Sequence, residues 1–575
     1  MLKDLRRDAD ARAMQEARVR ARIEPAPPAP IAVAARAFGD VFPPASPQRW
    51  IRVSAVVLAM ASAWYVPWML SSFNPHALWL AFPFAAANLF TIVLGLLTVA
   101  NSWHRSIPVP TLQPSGSEPQ VGVIVPTYGE PIAMILRTIT SVLEQDWPED
   151  RLVIVVSDDG HDPRLRDALE SWPVLYYEPP PRDAPGRDGA AKSGNLNAAL
   201  EFLRAMHPEL RYIETRDADD ELGSNGFLRQ IIGQLERDPK LGFVQTIKEA
   251  QVAPGDPFNN REAIFYRSQM LARNAANAVF PCGSGVVWRR QALEAIGDFP
   301  TWNLVEDLQS GVEALRRGWR GLYLPIVGAV PQHSPHDVPN FYKQRGTWCL
   351  DTVRLMLWGN LRGLGFRQRL QFVELALFYL SSFTVPIYLI SLAGALLGFA
   401  PLTAPTLGFV GHVLPLVVAT ELWLFVLNQP FNDRRARQRA RYRELWKVRT
   451  MWVGLSPVFM KASIQAILGG PSRKPTYKVT LKNDDVRWHW RHTLPQSVPV
   501  AVVSTVAIYA LRFHTYPSLV LLVGSVYWGA LNVILLGNFV ARGWHGVNSA
   551  RTSLWSRWSA RSPAGPTDDP AYGRK

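Results

Sequence analysis

Apolar residues in this chain follow two patterns. In residues 52–70, 78–100, 374–399, 407–427, 498–513 and 519–540 they run on almost without interruption. Each run is close to the roughly 20 residues that a helix needs to cross about 30 Å of hydrocarbon. Between residues 115 and 337 the apolar runs are short and alternate with helix-like periodicity, the signature of an α/β domain. Here Val121–Thr127 and Leu152–Asp158 read as buried strands around a helix that starts near Pro131, a parallel βαβ crossover. Ligands bind such sheets at the carboxyl ends of the strands, where Tyr128, Glu130, Asp158 and Asp159 fall.

The polar connections orient the apolar runs. Loops 71–76 and 400–406 contain no Lys or Arg, whereas Arg434, Arg435, Arg437, Arg439, Arg441, Arg443, Lys447 and Arg449 follow the fourth run closely. By the positive-inside rule both termini and the α/β domain face the cytoplasm, with Arg512 as the one outer exception. The organisation expected is an N-terminal arm (1–49), a transmembrane hairpin (50–104), the α/β domain (115–337) and interfacial helices (338–370). A second hairpin (371–428), a basic interfacial segment (429–470), a polar loop (471–494), a third hairpin (497–541) and a cytoplasmic tail (542–575) complete it. Segment 451–470, broken by Pro457 and Lys461, reads as interfacial or re-entrant. The start of the chain lacks the apolar stretch of a signal peptide.

Composition narrows the chemistry. A net charge of +14 beside such apolar runs points to anionic lipid headgroups as partner, not nucleic acid. With only Cys282 and Cys349, neither a disulfide framework nor a Cys-based zinc site is expected. The strand-like run 212–216 ends in Asp217-Ala218-Asp219-Asp220, and strand alternation would aim Asp217 and Asp219 the same way. Two carboxylates there suit Mg²⁺ or Mn²⁺, or else form an acidic loop before a helix capped by Ser224 or Asn225. Lys192, beside Gly194 at a helix start, is a phosphate ligand or a solvent-facing lysine. Glu306 and Asp307 open a helix, where acids also occur for dipole reasons. Residues 338–358 read as an amphipathic helix carrying Gln344, Arg345 and Trp348.

The order of these stations resembles the processive family 2 glycosyltransferases, most of all the bacterial cellulose synthase catalytic subunit, over roughly residues 50–540. Pro126-Thr127-Tyr128-Gly129-Glu130-Pro131, Asp158-Asp159-Gly160 and Lys192-Ser193-Gly194-Asn195 are similar to that family's nucleotide-site motifs, and Cys282-Gly283-Ser284 to its acceptor segment. Tyr477-Lys478-Val479-Thr480-Leu481-Lys482 resembles its gating loop. Three motifs depart: Val305-Glu306-Asp307 keeps two acids of Thr-Glu-Asp, Gln344-Arg345-Gly346-Thr347-Trp348 has Thr where Arg is usual, and Tyr477 and Asn483 replace Phe and Gly.

The resemblance implies an α/β GT-A-type (Rossmann-like) cytoplasmic domain inserted in a bundle of about six transmembrane helices. It implies inverting transfer from a UDP-sugar to a growing β-linked glycan, β-1,4-glucan foremost, in the inner (plasma) membrane. Tyr128, Glu130, Asp158, Asp159, Lys192 and Asp217 would bind the donor, and Asp217 and Asp219 a Mg²⁺ or Mn²⁺. Asp307 would be the base beside Glu306, with Gln344 and Arg345 near the diphosphate. Trp348, Cys282, Gly283 and Ser284 would meet the acceptor at a channel entrance, and Tyr477, Val479, Thr480 and Lys482 would close over the nucleotide. A periplasmic or accessory secretion subunit is a candidate partner. The rival readings are a synthase of hyaluronan, chitin or mannan, a single-sugar transferase to a polyprenyl phosphate, and a transporter with a degenerate catalytic domain.

Overall fold

The computed structural model describes residues 47–543 apart from 186, 190–191, 253–257, 336, 429–437, 473–488 and 517–518. Tyr477, Val479, Thr480 and Lys482 therefore lie outside the described residues. The α/β domain holds one sheet of β1 (Val121–Thr127), β2 (Leu152–Asp158), β3 (Leu175–Tyr177), β4 (Tyr212–Thr215), β5 (Asp220–Leu222), β6 (Leu241–Lys248), β7 (Val286–Arg289) and β8 (Arg320–Pro331). Their spatial order is β3-β2-β1-β4-β7-β6-β8-β5. β1 runs parallel to β2 and β4, while β7 is antiparallel to both β4 and β6.

Every residue of β1 is buried, which is why it reads as a continuous apolar run and not an alternating one. Its side chains still alternate. Val123 and Val125 pack with Ile135, Leu136, Ile139 and Val142 of the helix Ile132–Leu143 on one face. Ile124 packs with Leu196, Ala199, Leu200 and Leu203 of the helix Lys192–Met206 on the other. Each such side chain removed from water contributes about 1.5–3 kcal/mol, so both layers are held by the same strand.

The structure corrects the reading around Asp217. β4 stops at Thr215, and Asp217 to Asp220 forms a turn in which the Asp220 amide donates to the Asp217 carbonyl (2.9 Å), so strand alternation does not set the direction of Asp217 and Asp219. The chain re-enters the sheet as β5, paired with β8 (Asp220↔Pro331). The next helix, Phe227–Arg237, starts at Gly226 with no side-chain cap, so neither Ser224 nor Asn225 serves as its N-cap.

Among the described residues, five helices are long and apolar enough to cross a membrane: Gln48–Ser71, Pro75–Ser102, Phe366–Leu396, Leu407–Leu427 and Trp490–Phe513. Their outward faces carry exposed Trp64, Phe82, Val418 and Ile508, as lipid-facing helices do. A sixth candidate is Arg443–Gly454 with Ser456–Gly469, bent by 52° at the break. Pro457 sits in the first turn of the second half, where a missing N–H and a ring crowding the preceding carbonyls interrupt the helix. Of the two acids within the five spans, Glu421 is paired with Arg449 (2.8 Å) and Glu374 accepts a hydrogen bond from Asn101.

Helix Val338–Trp358 joins the two parts. It packs against the second half of the bent pair, where Cys349 Sγ lies 3.5 Å from the Phe459 carbonyl and Trp358 Nε1 donates to the Ala466 carbonyl (2.9 Å). On its other side Asp351 accepts a hydrogen bond from the Val305 amide (2.7 Å), just before Glu306 and Asp307.

Candidate active site

The site forms where β1, β2, β4 and β6 end and β7 begins. Lys192 opens its helix under the control of two asparagines. Asn195 Nδ2 donates to the Ser157 carbonyl (3.0 Å) at the end of β2, and Asn197 exchanges hydrogen bonds with the Phe299 backbone (both 2.9 Å). Gly194 is obligatory here, because a Cβ would stand 1.9 Å from the Gly189 carbonyl oxygen. The Lys192 ammonium donates to Asp217 Oδ1 (2.5 Å) and the Gly283 carbonyl (3.0 Å) and lies 3.3 Å from Glu306.

The Asp217 loop is fixed from behind by Arg216, which is fully buried. Arg216 pairs with the equally buried Glu214 (2.5 Å) and donates to the carbonyls of Asp220 (3.3 Å), Glu221 (3.2 Å) and Gly328 (3.1 Å). Ser284 Oγ accepts from the Asp217 amide (3.1 Å), tying this loop to the turn before β7.

Gly283 is the meeting point. At φ +82° it adopts a left-handed conformation that suits glycine, and a Cβ on it would lie 3.4 Å from Asp307 Oδ2, 3.4 Å from Lys192 Nζ and 4.0 Å from Asp217 Oδ2. Asp217, Lys192, Glu306, Asp307 and Gly283 thus converge as the sequence predicts. Lys248, at the end of β6, bridges Asp217 Oδ2 (3.0 Å) and Asp220 Oδ2 (3.1 Å) and joins them unpredicted, since a lysine closing an apolar strand looks like an ordinary solvent-facing terminus.

The electrostatics divide the acids. Burial alone would raise the Asp217 pKa, but the ammonium groups of Lys192 and Lys248 outweigh it and hold this carboxyl well below the usual range. Asp307 has no such clamp: burial, and then the charge of Glu306, push its pKa up to about 7. One carboxylate is thereby kept ionised, while the other changes protonation state near neutrality.

At the carboxyl ends of β1 and β2, Glu130 accepts from the Tyr128 amide (2.6 Å). The Asp158 carboxylate accepts from Thr127, Gly160, Asp162 and Tyr176 and shapes the strand-end turn. Asp159 is bridged by Arg182 and Arg187 (both 2.6 Å), and the Arg182 guanidinium sits 3.6 Å over the Tyr128 ring. Arg345 is paired with Glu262 and stacked 4.5 Å over the Trp348 ring. The Cys282 amide donates to Gln245 (2.7 Å), and burial raises its thiol pKa.

Residues 119–350 match the model of the glycosyltransferase like family 2. They are a family 2 glycosyltransferase domain. The sheet around them is the curled mixed sheet of the GT-A fold, and over most of its length the chain is similar to cellulose synthases. It is 27% identical over 483 residues to the cellulose synthase catalytic subunit [UDP-forming] of Pseudomonas fluorescens, covering 79% of this chain and 61% of that one. It is 25% identical over 561 residues to putative cellulose synthase 2 of Komagataeibacter xylinus, covering 92% of this chain and 34% of that one. The chain therefore spans less than two thirds of the length of these relatives. Among solved structures it is similar to the mannosyltransferase PcManGT of Pyrobaculum calidifontis in complex with GDP-Man and Mn²⁺, at TM-score 0.43 and 19% identity over 72% of this chain and 99% of that one. The glycosyltransferase domain sits in a multi-pass membrane protein.

Proposed function

We propose that the chain is an inverting, processive polysaccharide synthase that adds sugars from a UDP-sugar to a β-linked glycan, β-1,4-glucan foremost, and passes the product through its own membrane helices. The observation that carries this reading is the convergence on Gly283 of an ionised carboxylate, an ammonium and an acid with a pKa near 7. An anionic leaving group needs the first two, and a hydroxyl nucleophile needs the third.

Asp307 would accept the proton of the acceptor hydroxyl as that oxygen attacks the anomeric carbon and the bond to the diphosphate breaks. Lys192 would stabilise the charge arriving on the diphosphate. Tyr128, Glu130 and Asp159 would line the base end of the donor, with Asp158 shaping the pocket from behind. Trp348 would offer its ring to the acceptor sugar, with Cys282, Gly283 and Ser284 beside it. Arg345 would hold the Trp348 ring in place from its ion pair with Glu262.

A divalent cation fits this donor set. Both oxygens of Asp217 already attract ammonium groups, and Asp217 and Asp219 are hard oxygen ligands. No group of three or more His, Cys, Asp or Glu able to hold a metal occurs among the described residues, so diphosphate oxygens would complete the coordination. Mg²⁺ or Mn²⁺ bound there would supply a Lewis acid for the departing diphosphate.

The domain would face the cytoplasm of a plasma (inner) membrane, since the loops at 71–76 and 400–406 carry no Lys or Arg. The test is purified protein in detergent, offered UDP-sugars with Mn²⁺ or Mg²⁺. UDP release with a long product digested by a β-1,4-glucanase is expected, and EDTA stops it. A product extended by one sugar, or a polymer resistant to that enzyme, would reject processivity or the glucan assignment respectively.

A further inference from the structure

Each of the two lysines at the centre has an acid of its own behind it and shares Asp217 in front. Lys192 takes Asp217 Oδ1 and keeps Glu306 and the Gly283 carbonyl, while Lys248 takes Asp217 Oδ2 and keeps Asp220. An ammonium has three N–H donors. Those of Lys192 match its three partners, but Lys248 has two, and no third occurs among the described residues. Its side chain is only 16% exposed, so the remaining N–H is a costly donor to leave without an acceptor.

The geometry at Asp217 assigns the acceptor. The lysines approach opposite oxygens of one carboxylate, so whatever bridges to Asp217 has an ammonium on either flank. On the reading above, that ligand is a nucleoside diphosphate. Asp220, pinned behind by β5 pairing, keeps Lys248 facing the cleft when a cation claims Asp217.

We propose that Lys248 is a second diphosphate-binding cation, which gives its unused N–H to the terminal phosphate of the nucleotide and shares with Lys192 the charge of the leaving group.

The experiment measures equilibrium binding of UDP, UMP, GDP and GMP, each with Mn²⁺, to the full-length protein in detergent. Lys248→Met is compared with Lys248→Arg and Lys248→Gln. A charge-assisted hydrogen bond predicts roughly tenfold to a hundredfold weaker UDP binding in Lys248→Met and Lys248→Gln, UMP binding within about twofold, and substantial recovery in Lys248→Arg. Equal losses for UDP and UMP, or none, would overturn the assignment. Tighter UDP binding in Lys248→Met would also overturn it, by showing that Lys248 only competes with the cation for Asp217. Wild-type preference for GDP would reject the uridine reading alone, since GDP against GMP then tests Lys248 equally well. Failure of both diphosphates to bind wild-type protein would reject the donor site and, with it, the role of Lys248.

Discussion

Replacing Arg216 by Met separates stability from placement of the Asp217 loop. The change leaves Glu214 buried without its cation and strips donors from three carbonyls, those of Asp220, Glu221 and Gly328. Breaking a buried ion pair from one side costs about 3–5 kcal/mol. In a domain of this size each kcal/mol lowers Tm by about 2–4 °C, so a fall of about 6–20 °C is expected. The double variant Glu214→Leu/Arg216→Met removes both charges and fills the space with apolar atoms, a swap that is often neutral or stabilising. Its Tm should return to within a few degrees of wild type. Its turnover should stay at least tenfold down, because the carbonyls that Arg216 gathers behind Asp217 remain untethered. Scanning fluorimetry in detergent and UDP release measure the two quantities on one preparation. Recovery of both by the double variant would refute the positioning argument, and an unchanged Tm in the single variant would refute the buried-charge account.

Four further outcomes follow from the site. Asp307 must be ionised to act as base, so turnover should rise about tenfold per pH unit below 7 and level off above about 8. Because folding raises the pKa of this carboxyl, its contribution to stability is complete below the ordinary Asp range and is lost as pH rises through about 7. Asp307→Asn should therefore be inactive yet melt higher than wild type at pH 8, with the gap narrower at pH 5 and closed only below the ordinary Asp range; a gap that is constant with pH would contradict this. Gly283→Ala puts a methyl group among Asp307, Lys192 and Asp217 at φ +82°, and should reduce kcat at least a hundredfold while lowering stability by only about 1–2 kcal/mol. Asp351→Ala leaves the Val305 amide without its acceptor and loosens the lead into Glu306 and Asp307, lowering kcat more than it raises KM for the UDP-sugar; a change confined to KM would remove Asp351 from that role.

Much of this architecture is written locally. The strands β1 and β2 coincide with apolar runs, and Val338–Trp358 has the bounds that its periodicity predicts. Asp217, Lys192 and Asp307 each had an ordinary structural alternative by position alone, and became legible through the order of motifs that resembles the family 2 glycosyltransferases. What stayed hidden depends on distant partners. β5 is three residues long and exists through pairing with β8, over a hundred residues later. Asp351 and Arg354 look like the polar face of an amphipathic helix, yet each is 2% exposed and grips the segment 302–305. Nothing in local periodicity separates such residues from solvated ones.

The reversed direction of β7 constrains how this centre can change. β4 delivers Asp217 where β7 departs from Ser284, so the two loops are opposite lips of one seam, with Thr215 aligned to Val286. Along β7, Val286 and Trp288 belong to one apolar layer and Val287 to the other. Sliding that strand by a single residue would exchange the layers and carry Gly283 away from the acids. The apolar side chains Val286, Val287 and Trp288 can vary within their volumes, but adding or deleting one residue between 281 and 289 would dismantle the reaction centre and the domain interior together.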